Sequence, residues 1–180
     1  MDEKTVFELS KKKAYTLYGS NLLATLEPGT VDCLQQIHAY LFGGLYDFAG
    51  KIREKNISKG GFIFANAYYF GTILPTIERM PETTFDEIIG KYVEMNIAHP
   101  FMEGNGRSTR IWLDMMLKRS LKKCVDWSRI GKKEYLDAMR QSPSDSAPLK
   151  ALLSSALTEK IDDSEMFMKG IDQSYYYEAN

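Results

Sequence analysis

The sequence predicts a mainly helical domain, a bundle of about eight helices carrying one small β-hairpin. Three observations predict it. Apolar residues recur at helical spacing through most of the chain, as in Phe85, Ile88, Ile89, Tyr92, Val93 and Ile97. Proline and glycine pairs, among them Pro28-Gly29, Gly43-Gly44 and Ser142-Pro143, cut the chain into helix-length pieces. Only one stretch, residues 57–65, sets short β-prone runs around two glycines.

The elements follow in order. Residues 1–30 read as an N-terminal extension, with a loosely helical pattern from Val6 to Tyr18 and a solvated face at Lys11-Lys12-Lys13. Thr30 or Asp32 is placed to cap the next helix, which carries Leu34, Ile37, His38, Leu41 and Phe42 and ends at Gly43-Gly44. His38 is expected to pack or bond at this helix end, without catalytic work. The hairpin follows, with Phe62 and Phe64 on one face and Ile63 on the other. Asn66 to Met80 reads as a helix with Tyr69, Ile73, Ile77 and Met80 on its stripe and Pro75 as a kink or restart. Residues 85–120 read as helix, loop, helix. Thr84 and Glu87 form a capping box, and Pro100 helps to end the first helix at about residue 99. Val125 and Trp127 mark a short turn. Tyr135, Leu136 and Met139 mark another helix, and Leu149, Leu152, Leu153, Ala156 and Leu157 the next. The last helix, 164–178, puts Phe167, Ile171, Ser174, Tyr175 and Glu178 on one face.

Composition narrows the function. The 180 residues suffice for one domain, 1–180, and 44% are hydrophobic, which argues against disorder. Lysine and arginine number 23 against 24 acids, so charge asks for no nucleic acid. No apolar run spans a bilayer, the opening Met1-Asp2-Glu3-Lys4 has no signal-peptide pattern, and Cys33 and Cys124 stand alone. The simplest expectation is a cytoplasmic protein with reduced thiols and no membrane partner.

The chemistry concentrates in His99-Pro100-Phe101-Met102-Glu103-Gly104-Asn105-Gly106-Arg107-Ser108-Thr109-Arg110. The start of a helix offers free N–H groups to an anion, and Gly104 and Gly106 let one approach. The Asn105 amide is a donor for phosphate. Arg107 and Arg110, three apart, are placed to clamp a polyphosphate. Glu103 is a hard oxygen ligand of the kind Mg²⁺ takes when it also holds phosphates. His99 is suited to proton transfer near neutral pH. Together these groups suit transfer of a phosphate-containing group from a nucleotide.

This stretch resembles the Fic signature, His-Pro-Phe-x-(Asp/Glu)-Gly-Asn-Gly-Arg-x-x-Arg, with each defined position matched. The resemblance implies a mostly helical Fic fold and transfer of AMP from ATP to a Tyr, Ser or Thr hydroxyl of a target protein. It implies His99 as general base, Glu103 as ligand of Mg²⁺ or Mn²⁺, and Asn105 on the α-phosphate. Arg107 and Arg110 would hold the β- and γ-phosphates, with Gly104 and Gly106 in the same ATP site. Doc kinases of the superfamily usually carry Lys where Gly106 stands, which points away from that branch. Ala49-Gly50-x-x-Arg53 and the hairpin are similar to the Fic flap, whose residues here, Ser58, Lys59, Gly60, Gly61, Phe62 and Ile63, would hold a target segment by strand addition.

The chain end resembles the inhibitory Ser/Thr-x-x-x-Glu helix of the compact bacterial class, class III, although Ala179 stands where Gly or Asn is usual. By this likeness Ser174 and Glu178 form a brake. A partly buried carboxylate needs a cation, and Arg110 is one left unpaired when ATP is absent; Glu178 on Arg110 would occupy the γ-phosphate place. Self-modification at Tyr175 would displace the helix. The resemblance also suggests ATPase subunits of bacterial type II topoisomerases as targets, and homo-oligomers. Two other readings keep the site: a different nucleotide donor or removal of AMP, and a non-catalytic nucleotide-sensing module.

Overall fold

The computed structural model describes residues 1–180, and the motif loop lies at the junction of its two principal helices. The first, α5 (Phe85–Ala98), starts on the capping box expected of it: Thr84 Oγ1 accepts from the Glu87 amide at 3.2 Å, and Glu87 Oε1 accepts from the Thr84 amide at 3.0 Å. It ends at Ala98, two residues before Pro100, with His99 as its C-cap in left-handed geometry at φ 50. The second, α6 (Asn105–Leu121), begins after Gly104, whose φ of 84 serves as its entry turn. Trp112, Leu113, Met116 and Leu117 of α6 are wholly buried. Burial of Trp112 alone is worth several kcal/mol, so its truncation to alanine costs about 3–5 kcal/mol.

Three helices precede the hairpin: α1 (Glu3–Leu17), α2 (Leu22–Thr25) and α3 (Val31–Phe42). Thr30 caps α3 through the Cys33 amide, 3.0 Å away, and Leu34, Ile37, His38, Leu41 and Phe42 are buried, as the stripe predicts. The N-terminal helix is more than an extension. Val6, Ala14 and Leu17 enter the core, α1 packs on α3, and Ser10 and Phe7 meet the C-terminal helix α9 (Ser164–Glu178).

The hairpin pairs β1 (Ser58–Lys59) with β2 (Phe62–Ile63) in antiparallel register, Ser58 to Ile63 and Lys59 to Phe62. Gly60 and Gly61 take φ of 57 and 82, the two positive values that a two-residue turn of this hand demands. The next segment departs from expectation. Ala67–Tyr69 is a 3₁₀ turn, and α4 (Phe70–Glu78) runs on through Pro75. Its phase is set from Phe70, so Phe70, Leu74 and Ile77 are buried, while Tyr69 is exposed and Ile73 and Met80 only half-buried. Pro75 removes one amide donor and does not divide the helix.

After α6 come α7 (Lys132–Gln141) and α8 (Ala147–Ser155). A second small ladder, β3 (Cys124–Val125) with β4 (Leu157–Thr158), stands where only a turn and the end of a helix were read. Leu157 therefore belongs to a strand, and α8 stops two residues earlier. Strands of two residues leave no period to detect. Helix α9 is capped by Asp163, and its buried residues are Met166, Ile171, Ser174, Tyr175 and Tyr177. No helix is long and apolar enough to cross a membrane.

Candidate active site

A cleft of about 400 Å³ opens at the motif, lined among others by Lys59, His99, Glu103, Gly106, Arg110 and Glu178. A larger hollow of about 630 Å³ lies elsewhere on α6 and α9; of the motif it meets only Arg110 and the residues after it. The convergent polar groups are in the smaller one.

His99 is held on three sides. Its backbone carbonyl accepts from Arg53 Nε at 2.7 Å, its ring stacks on Phe64 with centroids 3.7 Å apart, and its Nδ1 faces the Asn96 carbonyl at 3.2 Å. A carbonyl only accepts, so Nδ1 carries the proton and Nε2 keeps a free lone pair. Burial pushes the ring down to about 4, against the pull of the Asn96 carbonyl, so it is neutral at pH 7.

Arg53 organises this corner. Besides His99 it donates to the carbonyls of Lys55 at 2.7 Å, Ala65 at 2.6 Å and Ala98 at 2.9 Å. A buried cation thus closes the carbonyl end of α5 and ties both hairpin legs to it. The sequence marked Arg53 only as part of a familiar segment; these long-range partners were not legible there.

The phosphate groups divide. The Asn105 side chain is committed to the loop: Oδ1 accepts from the Phe101 amide at 2.9 Å and Nδ2 donates to the Phe101 carbonyl at 2.7 Å. Only one Nδ2 hydrogen and the backbone amide remain for an anion. Arg107 does not line the cleft. Its guanidinium sits among Phe7, Phe42 and Tyr175, 5.0 to 5.9 Å from their ring centres, and reaches Glu103 Oε1 at 3.3 Å. Two side chains three apart on a helix point about 60° from one another, and here that angle separates them. The joint clamp read from spacing is therefore absent with α9 docked.

Arg110 is buried and aims at α9. Nε donates to Ser174 Oγ at 2.8 Å, and Nη2 to the Ser174 carbonyl at 2.9 Å and Glu178 Oε1 at 2.7 Å. Tyr135 and Tyr177 flank it, with ring centres 5.5 and 5.2 Å away. Glu178 Oε2 lies 3.8 Å from Lys59 Nζ on the hairpin. Burial raises the Glu178 carboxyl, but Arg110, and behind it Lys59 and Arg107, reverse this and hold it below its ordinary value. Gly106 makes the pair possible, since a Cβ there would overlap the Glu178 carboxylate and lie 2.9 Å from Arg110 Nη1.

Tyr175 corrects an expectation. Its side chain is wholly buried and its hydroxyl is 2.6 Å from Ser10 Oγ, so it is out of reach while α9 is docked; Tyr176 is the exposed neighbour. Glu103 fits a metal that arrives with phosphates. Its side chain is half-exposed at the cleft, and no cluster of three or more candidate ligands stands near it.

Comparisons with known proteins identify the family and the fold. The Fic/DOC family profile matches residues 28–117, half of the chain. Protein adenylyltransferase VbhT of Bartonella schoenbuchensis is 33% identical over 143 residues, which cover 72% of this chain and 29% of VbhT. The chain thus spans under a third of that relative's length. Probable protein adenylyltransferase y4lH of Sinorhizobium fredii is 29% identical over 150 residues, covering 75% of this chain and 78% of y4lH. Among solved structures, the BepC protein of Bartonella tribocorum with bound AMPPNP shares the fold at a TM-score of 0.69 and 18% identity, over 87% of this chain and 88% of that one. The effector BepA gives 0.72 at 21% identity, over 92% and 64%. A signature loop set intact between α5 and α6, and a family profile matched over half the length, place this chain in the Fic/DOC family.

Proposed function

We propose that the protein is an autoinhibited protein adenylyltransferase, which moves AMP from ATP to a hydroxyl of a target protein. The observation that carries the reading is Glu178 on Arg110, 2.7 Å apart, beside a neutral His99 in one cleft. The similarity to VbhT, a protein adenylyltransferase, and to y4lH, a probable one, supports the reaction class.

In the open state the triphosphate meets the free amides at the start of α6, and Arg110 turns from Glu178 to its outer phosphates. Glu103 would hold Mg²⁺, which offsets phosphate charge. The hairpin edge presents the target hydroxyl to His99. The hydroxyl oxygen bonds to the α-phosphorus, its proton passes to His99 Nε2, and the bond from the α-phosphorus to the bridging oxygen breaks as pyrophosphate leaves. In the closed state Glu178 takes the outer-phosphate partner, and ATP loses its productive orientation.

The test is incubation of a Glu178→Gly protein with α-labelled ATP, UTP or GTP and a cell lysate. The reading expects label on a protein band from ATP, and none when His99→Ala is added. Nucleotide binding without transfer from any donor would refute it.

A further inference from the structure

We propose that His38 is a positioning residue for the motif loop, holding the peptide between Glu103 and Gly104 so that the start of α6 and the Glu103 side chain face the cleft. The inference rests on the functional reading above only for its catalytic consequence; the geometry stands apart from it.

His38 leaves no ring nitrogen unused. Nδ1 accepts from the Gly50 amide at 2.8 Å, so the proton sits on Nε2, which donates to the Glu103 carbonyl at 2.8 Å. The ring stacks on Phe101 with centroids 3.8 Å apart and lies 4.7 Å from Phe42. With Nδ1 accepting and Nε2 donating, the ring is bound as its neutral tautomer.

Both partners are peptide groups at places of little freedom. Gly50, at φ 74, presses on α3, where a Cβ would lie 2.9 Å from that of Ala39; its carbonyl is held by Gln35 Nε2 at 2.9 Å. Gly104, at φ 84, leaves no room either, since a Cβ there would overlap the Phe42 ring and lie 3.2 Å from His38 Nε2. Fixing the Glu103 carbonyl fixes the next peptide plane, and with it the direction of the first amides of α6. His38 joins the segment leading to Arg53 with the far end of the loop that Arg53 holds at His99.

Packing alone would be met by any ring of this size. His38→Phe keeps the stack and leaves the Gly50 amide and the Glu103 carbonyl without their partner. His38→Gln places an N–H close to Nε2, while His38→Asn restores only an acceptor near Nδ1. The experiment compares these three with the parent Glu178→Gly protein. It measures melting, hydrogen exchange at the Phe101 and Ser108 amides, which report the closed loop, and AMP transfer. For His38→Phe we expect about tenfold faster exchange at both amides and about a tenfold or greater fall in kcat, with ATP KM less affected. His38→Gln should recover most of both, and His38→Asn little. Equal exchange in all variants, or His38→Gln no better than His38→Phe, overturns the proposal. If His38→Phe fails to fold, His38→Gln against His38→Asn decides on the same criteria. Exchange needs no turnover, so an inactive parent protein refutes the functional reading and leaves this test intact.

Discussion

Glu178→Gly isolates the brake. The substitution removes one charge-assisted hydrogen bond of 2.7 Å and leaves Arg110 its two bonds to Ser174 and its aromatic flanks. A buried bond between charged groups is worth about 1.5–3 kcal/mol net, or about ten- to 150-fold in occupancy. Lys59 adds little, because its side chain is 74% exposed and 3.8 Å away. Label transfer from ATP at saturating nucleotide and Mg²⁺ should therefore rise by about ten- to a hundredfold. The fold survives, since Ile171, Tyr175 and Tyr177 still anchor α9 in the core. Glu178→Gln is the companion: it keeps the shape and loses the charge, and it should release most of the same activity. Equal rates for wild type and Glu178→Gly refute the reasoning. A Glu178→Gln protein as silent as wild type would show that bulk, not charge, closes the site.

The remaining expectations are shorter. His99→Ala in the Glu178→Gly protein should abolish transfer while ATP still binds, as calorimetry would report; retained transfer would remove His99 as base. The neutral His99 ring, held at about 4, puts the acid limb of the rate between that value and the ordinary 6.5, with a plateau across about pH 7 to 8 in a pH–rate series. Glu178 titrates below its ordinary 4.5, so the pair stabilises above that pH and is lost only as pH falls through the depressed value; thermal melts and activity of the wild type should show no release near neutrality. Ser10→Ala removes the buried partner of Tyr175, costing about 1 kcal/mol, and should release a few-fold of activity as α9 loosens.

Local chemistry was legible. A capping box, a proline after the left-handed His99 and a two-glycine turn act over a few residues, so α5, the motif loop and the hairpin fall where the sequence puts them. The Glu178 pairing was legible only through resemblance: spacing alone leaves a terminal Ser-x-x-x-Glu as a solvated helix end, and the likeness of residues 174–178 to the inhibitory motif is what pointed to Arg110 as the partner. Two features failed for reasons of phase and length. Helix α4 took its register from Phe70, and the second ladder has strands of two residues.

The sequence by itself determined which groups exist and which neighbours along the chain they share. Tertiary structure decided which way each group turns. Arg110 meets Glu178 across 68 residues and Arg53 meets Ala98 across 45. His38 meets Glu103 across 65. Arg107, one turn from Arg110, was drawn away among three aromatic rings, one of them from the N-terminal helix. Spacing fixes an angle around a helix axis, but the side of the molecule that angle faces is set by the packing of elements distant in sequence, and no local pattern records it.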